Sequence, residues 1–186
     1  MTRVLIVVIL AAVTQAQVVN TGWPQWRGPK RDGVITAAMP ATWPEKLTKK
    51  WELAVGEGHS SPVVSGDRVI IHAREGEKEI TRAVSLSTGK ELWRNEFAAP
   101  YTMNPAARAH GPGPKSTPTI AGTRVFTFGI TGVLSALDLN SGKLLWRTSS
   151  PPAAPAEYGS AMSPLVDGGV VIAHMGTKNK GALTAF

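Results

Sequence analysis

Short apolar runs, each broken by a glycine-containing turn, recur along the chain. Ser60-Ser61-Pro62-Val63-Val64 passes through Gly66-Asp67 into Arg68-Val69-Ile70-Ile71. Ser116-Thr117-Pro118-Thr119-Ile120 passes through Gly122-Thr123 into Arg124-Val125-Phe126-Thr127-Phe128. Met162-Ser163-Pro164-Leu165-Val166 passes through Gly168-Gly169 into Val170-Val171-Ile172. Each reads as strand, tight turn, strand. Each proline stands near the start of its first strand, where a missing N–H costs least.

A second strand pair follows each complete hairpin. In the first unit it is Arg82-Ala83-Val84-Ser85-Leu86, the turn Ser87-Thr88-Gly89-Lys90, and Glu91-Leu92-Trp93-Arg94. In the second it is Val133-Leu134-Ser135-Ala136-Leu137-Asp138, the turn Asn140-Ser141-Gly142-Lys143, and Leu144-Leu145-Trp146-Arg147. Four strands per unit, repeated, predict an all-β propeller of four-stranded antiparallel blades. Two units are complete, at 60–97 and 116–148, and 162–186 begins a third.

The run Ala136-x-Asp138-x-x-Ser141-Gly142-Lys143-x-x-Trp146 resembles the tryptophan-docking repeat of the pyrroloquinoline-quinone-type β-propellers. Ala83, Gly89 and Trp93 keep the same spacing, with Ser85 where that family favours aspartate. The third repeat reaches Ala185-Phe186, one position short of its aspartate. Ala83, Gly89, Trp93, Ala136, Asp138, Gly142 and Trp146 are therefore expected to be structural docking residues. An aspartate or serine before the turn can accept backbone N–H groups, the glycine can turn left-handed, and the indole offers a large flat face to the next blade. Lys50-Trp51-Glu52-Leu53-Ala54-Val55 resembles a fourth strand with no blade before it, and the resemblance implies that such a strand completes the last blade. Propellers hold about 4–8 blades, so the chain is expected to be an N-terminal fragment whose remaining blades follow Phe186.

The N-terminus changes the address. Arg3, the apolar run from Val4 to Val13 and Thr14-Gln15-Ala16 form a secretory signal cleaved after Ala16. That run is too short for the ~20 residues that span a bilayer. Residues 1–16 are read as signal peptide, 17–46 as an N-terminal strap and 47–186 as partial propeller, with no transmembrane segment after signal removal. Trp23-Pro24-Gln25-Trp26-Arg27-Gly28-Pro29 opens the strap and resembles the leader before the first blade in secreted members of the family. Trp23, Trp26 and Trp43 are expected to pack it over the blades. The location is periplasmic or secreted.

Composition adds exclusions. The 186 residues carry 42% hydrophobic and 18% charged residues, with 19 glycines and 14 prolines, which suits many short strands. The absence of cysteine excludes disulfides, thiolate metal sites and a lipid anchor on a cysteine, unlike the anchored bacterial assembly subunit of the family. A net charge of +7 is scattered rather than aligned, so no nucleic-acid partner is expected. Neither a G-x-S-x-G elbow nor an H-E-x-x-H zinc motif occurs.

Chemistry is expected on the loops joining one blade to the next, which share a face near the axis. Those linkers, at 56–59, 98–115 and 149–161, supply a candidate ligand-binding face of Glu57, His59, Tyr101, Asn104, Arg108, His110 and Lys115. His72 and His174 read as ordinary strand residues. Catalytic residues and a resident metal are not assigned. The leading reading is an exported, non-catalytic scaffold of the cell envelope that binds envelope proteins or a small ligand. One alternative is a quinoprotein dehydrogenase oxidising an alcohol or sugar. It would use pyrroloquinoline quinone and Ca²⁺, with Glu57 and Asn104 as metal ligands and Arg108 or Lys115 pairing with quinone carboxylates. The other is a carbohydrate-binding propeller that stacks sugars on Tyr101 and Tyr158.

Overall fold

The computed structural model describes residues 22–35, 40–149, 158–177 and 180–186. The segment read as a signal peptide and residues 150–157 of the last linker lie outside them. The first sheet is β1 (Val63–Ser65), β2 (Arg68–Glu75), β3 (Lys78–Ser85) and β4 (Glu91–Ala98). The second is β5 (Thr119–Ala121), β6 (Arg124–Phe128), β7 (Val133–Asp138) and β8 (Leu144–Ser149). Each is an antiparallel meander in chain order. β9 (Leu165–Asp167), β10 (Val170–Thr177) and β11 (Lys180–Ala185) form a three-stranded sheet of the same order. The architecture is that of consecutive propeller blades, two of four strands and one of three. Among the described residues no helix is long and apolar enough to cross a membrane.

The two complete blades repeat even in their irregularities. Each shifts register between its third and fourth strands, at Ala83/Val84 and at Ala136/Leu137. In both, a small alanine stands opposite the indole: Ala83 pairs with Trp93 and Ala136 with Trp146. Alternation along the strands sends one face of each sheet to each neighbour. Val63, Ile70, Ala83 and Trp93 of the first blade meet Ile120, Val125, Leu137 and Leu139 in one buried cluster. Phe126, Phe128, Leu134 and Ala136 face Val171, Ala173 and Met175 of the third sheet in another.

The indoles lie over glycines. Gly142 takes φ +69°, and a Cβ there would stand 2.4 Å from Cε3 of Trp93. Trp93 Nε1 donates to the Leu139 carbonyl at 3.0 Å. Trp51 lies over Gly89 in the same way and donates to the Leu86 carbonyl at 2.8 Å, although its own segment forms no regular strand. Trp146 is less enclosed than Trp93. It is half-buried and tilts against Phe126 and Phe186, with ring centroids 6.0 and 6.1 Å away. A cleft of about 660 Å³ lined by Trp146, Phe126, Val171 and Phe186 keeps it partly open.

The turns show how one blade replaces a missing aspartate. Asp138 Oδ1 accepts the N–H groups of Asn140 and Ser141 at 3.1 and 2.8 Å and the Ser141 hydroxyl at 2.7 Å. In the first blade Ser85 occupies that position, and Asp67 reaches across from the neighbouring turn. Its Oδ2 accepts the Ser85 hydroxyl at 2.9 Å and its Oδ1 the Ser87 N–H at 3.0 Å, while Ser85 Oγ accepts the Thr88 N–H at 3.2 Å. The Ser85 hydroxyl and then the Ser87 amide hold the Asp67 carboxyl below its ordinary value. The Ser141 hydroxyl and amide do the same for Asp138. A depressed carboxyl contributes stability above its unfolded value of about 3.9 and loses it as pH falls through the lower folded value. Asp67→Asn should therefore melt below the parent at about pH 7, and the gap should close as the solution is acidified past that window. Thermal melts across pH check this; a gap that stays constant into acid would show that the Asp67 charge does not brace the turn.

The N-terminal segment meets all three blades at their innermost strands. Val64 N–H donates to the Trp23 carbonyl at 2.9 Å and Ile120 N–H to the Pro24 carbonyl at 2.7 Å. The Arg31 guanidinium donates to the Val166 carbonyl at 2.8 Å. Trp26 and Trp43 do not do the packing expected of them: they are 56% and 62% exposed. Backbone pairing and Arg31 hold this segment, because the short inner strands leave amide groups open to it.

Candidate functional site

The first two linkers are tied together by backbone. Glu57 and Arg74 exchange amide–carbonyl hydrogen bonds of 2.9 and 2.8 Å, and His59 N–H donates to the Pro114 carbonyl at 2.8 Å. Gly113 lies against this crossing so closely that a Cβ would meet the Glu57 carbonyl oxygen at 2.3 Å. The long linker coils into a 3₁₀ turn at Pro105–His110. Proline starts it, and Asn104 caps it by accepting the Ala106 N–H through Oδ1 at 2.9 Å.

This arrangement brings His59, His110 and Lys115 together. The rings of His59 and His110 meet edge to face with centroids 6.2 Å apart. His59 Nε2 donates to the His110 carbonyl at 2.7 Å. Lys115 Nζ donates to the Tyr158 carbonyl at 2.7 Å, joining the long linker to the next one. His59, Ala106, Ala107, His110, Lys115 and Tyr158 surround an open cavity of about 370 Å³.

The other candidates lie outside this lining. Asn104 is engaged as the cap. Arg108 is exposed on the 3₁₀ turn, and its carbonyl accepts the Gly111 N–H at 3.2 Å. The exposed Glu57 carboxylate lies beside Gly111, with Oε2 3.5 Å from where a Cβ would stand. Tyr101 is half-buried beside Gly159, and burial pushes its phenol above the usual value. Among the described residues no group of three or more His, Asp or Glu side chains comes together as a metal site.

The family model for outer membrane protein assembly factor BamB matches residues 76–186, more than half of the chain. The chain belongs to the BamB family of pyrroloquinoline-quinone-type repeat propellers. It is 28% identical over 114 residues to the outer membrane protein assembly factor BamB of Moranella endobia (strain PCIT), covering 61% of this chain and 26% of that protein. It is also 28% identical over 134 residues to the Yersinia pestis factor of the same name, covering 68% of this chain and 31% of that one. The chain thus spans about a third or less of the length of these relatives. Among solved structures, a europium-containing methanol dehydrogenase aligns with a TM-score of 0.45 and 19% identity over 75% of this chain and 24% of that one.

Beneath the linker face of this BamB-family chain lies a buried polar cluster that the strand pattern hid. His72 on β2 and Glu79 on β3 have fully buried side chains. Their Nε2 and Oε2 stand 3.2 Å apart, without hydrogen-bond alignment. His72 Nδ1 meets Thr81 Oγ1 at 3.0 Å. Glu79 Oε1 accepts the Ile130 N–H of the second blade at 2.8 Å. The Ile130 carbonyl accepts the Ser160 N–H at 2.9 Å, so the cluster connects to the linker that carries Tyr158. Arg147 of β8 donates to Ser135 Oγ at 2.8 Å and Asn95 Oδ1 at 3.1 Å and lies 4.1 Å from the centre of the Phe97 ring. Burial pulls its guanidinium below the usual value, and the Glu79 charge opposes that. The available signal was alternation: Ile70, His72 and Arg74 share a strand face, so His72 is carried inward with Ile70.

Proposed function

We propose that the chain belongs to an exported, non-catalytic envelope propeller that binds a protein partner during outer membrane protein assembly. The match of the BamB family model to the repeats carries this reading. The open face built from the linkers supports it, since it offers a cavity and charged side chains on a stiff scaffold. The signal read at 1–16 supports a periplasmic location, where such a partner would be met. Ala83, Gly89, Trp93, Ala136, Asp138, Gly142 and Trp146 serve the scaffold by docking blade on blade.

Deletion of the complete gene in its own host tests the proposal. Folded β-barrel proteins should fall in the outer membrane and detergent sensitivity should rise, with both restored by the complete gene product recovered from the periplasmic or membrane fraction. Unchanged barrel assembly, together with loss of a quinone-dependent alcohol oxidation, would replace the scaffold with the dehydrogenase alternative.

A further inference from the structure

We propose that the cavity between His59, His110, Lys115 and Tyr158 is a receptor for a carboxylate side chain on an extended acidic segment of the partner protein. This deepens the scaffold reading and rests on it. The first observation is a cation held at the cavity wall. Lys49, Lys78, Arg82 and Arg94 all pair with carboxylates. Lys115 has no carboxylate in ion-pair range among the described residues. Its Nζ is held by the neutral Tyr158 carbonyl at 2.7 Å, which fixes the ammonium at the cavity wall and leaves its other N–H groups to donate. The charge is placed in advance, so little side-chain entropy remains to be lost on binding.

The second observation is the lining. Ala106, Ala107 and the Tyr158 ring give an apolar surface for the methylene stem of an acidic side chain. His59 has Nε2 occupied by the His110 carbonyl. Arg108 stands exposed on the same 3₁₀ turn, also without a carboxylate in ion-pair range among the described residues. The volume of about 370 Å³ is near the lower end of ligand cavities, which suits one anchoring side chain rather than a large cofactor. A single anchor in a pocket, flanked by an exposed cation, is how a protein surface fixes the register of a bound segment. Glu57 lies beside Gly111, next to His110 in the chain, and its charge opposes an incoming carboxylate.

The test uses the full-length protein and a blocked peptide, acetyl-Ala-Gly-Glu-Leu-Gly-Ala-amide, with its Gln counterpart and sodium acetate as the other arms. Calorimetry at low salt should show saturable binding of the Glu peptide, and the Gln peptide should bind ~10-fold more weakly. Lys115→Gln should abolish that preference, and Glu57→Gln should tighten the Glu peptide by about two-fold. Ala106→Leu fills the cavity without touching a charge and should also abolish binding. Lys143→Gln, on a turn of the second blade, should change nothing. Thermal melts must show each variant folded; if Lys115→Gln does not fold, Ala106→Leu decides. Failure of the Glu peptide to bind, equal binding of Glu and Gln peptides, or an unaltered preference in the folded cavity variants overturns the proposal. Acetate competing as strongly as the peptide would make a free small carboxylate the occupant and also overturn it. In cells, normal barrel assembly with both Lys115→Gln and Ala106→Leu, in a host that needs the gene, would sink the receptor and leave the scaffold standing.

Discussion

Trp93→Ala is expected to destabilise the protein by about 3–5 kcal/mol, the range for removing a large aromatic from a packed core. The indole is 8% exposed and belongs to the cluster that joins the first two blades. Its removal takes away the contact across Gly142, the hydrogen bond to the Leu139 carbonyl and part of the cover over Ala83. The backbone there cannot easily close the gap, because Asn95 Nδ2 also donates to the Gly142 carbonyl at 3.1 Å and holds the turn at its distance. Trp146→Ala should cost less, because that indole is half-buried beside an open cleft. Gly142→Ala attacks the same contact from the other side, adding a Cβ where the ring lies and straining a left-handed residue. Urea melts of the folded variants measure all three. A Trp93→Ala loss under about 1 kcal/mol would remove the indole as the tie between blades.

What the sequence revealed and what it concealed divide along the reach of the interactions. Asp138, Ser141 and Gly142 complete their turn within a few residues, so spacing alone displayed them. Pro62, Pro118 and Pro164 marked strand starts for the same local reason. The substitution of Asp67 for the aspartate missing at Ser85 was not legible, because it bridges two turns 18 residues apart in sequence. Connectivity brought His59, His110 and Lys115 to one face, since each lies in a linker leading to an innermost strand. It did not distinguish them from Asn104, whose amide is consumed by a cap, or from Glu57, whose backbone is paired with Arg74. Trp26 and Trp43 were expected to pack because they are large and apolar, yet the strap finds its partners through amide groups that no hydropathy pattern displays. Glu79 was hidden in another way. Next to Lys78 at the start of a strand, it reads as a solvated end, and only the second blade lying against that face makes it interior.

Glu79→Ala carries the other large expected effect, about 3–5 kcal/mol, because it removes a fully buried carboxyl side chain that faces His72 and binds the Ile130 amide. The carboxylate does three things there. Oε1 satisfies the Ile130 amide across the blade boundary, Oε2 faces His72, and its charge acts on the half-buried Arg147. Alanine leaves the fully buried Ile130 N–H without its acceptor, which is costly away from water, and removes a favourable charge near the half-buried Arg147. Glu79→Gln keeps an acceptor of the same shape at Oε1, so it should retain the Ile130 bond and lose only the charge. It should cost clearly less than alanine. Gly129→Ala probes the same spot sterically, since a Cβ there would stand about 2.1 Å from Oε2 and should displace the carboxylate at a cost of about 1–3 kcal/mol. Amide hydrogen exchange at Ile130 reports the bond directly: its protection should fall in Glu79→Ala and persist in Glu79→Gln. If alanine and glutamine cost the same and Ile130 exchanges alike in both, the amide bond contributes nothing and the effect of Glu79 lies in its charge alone.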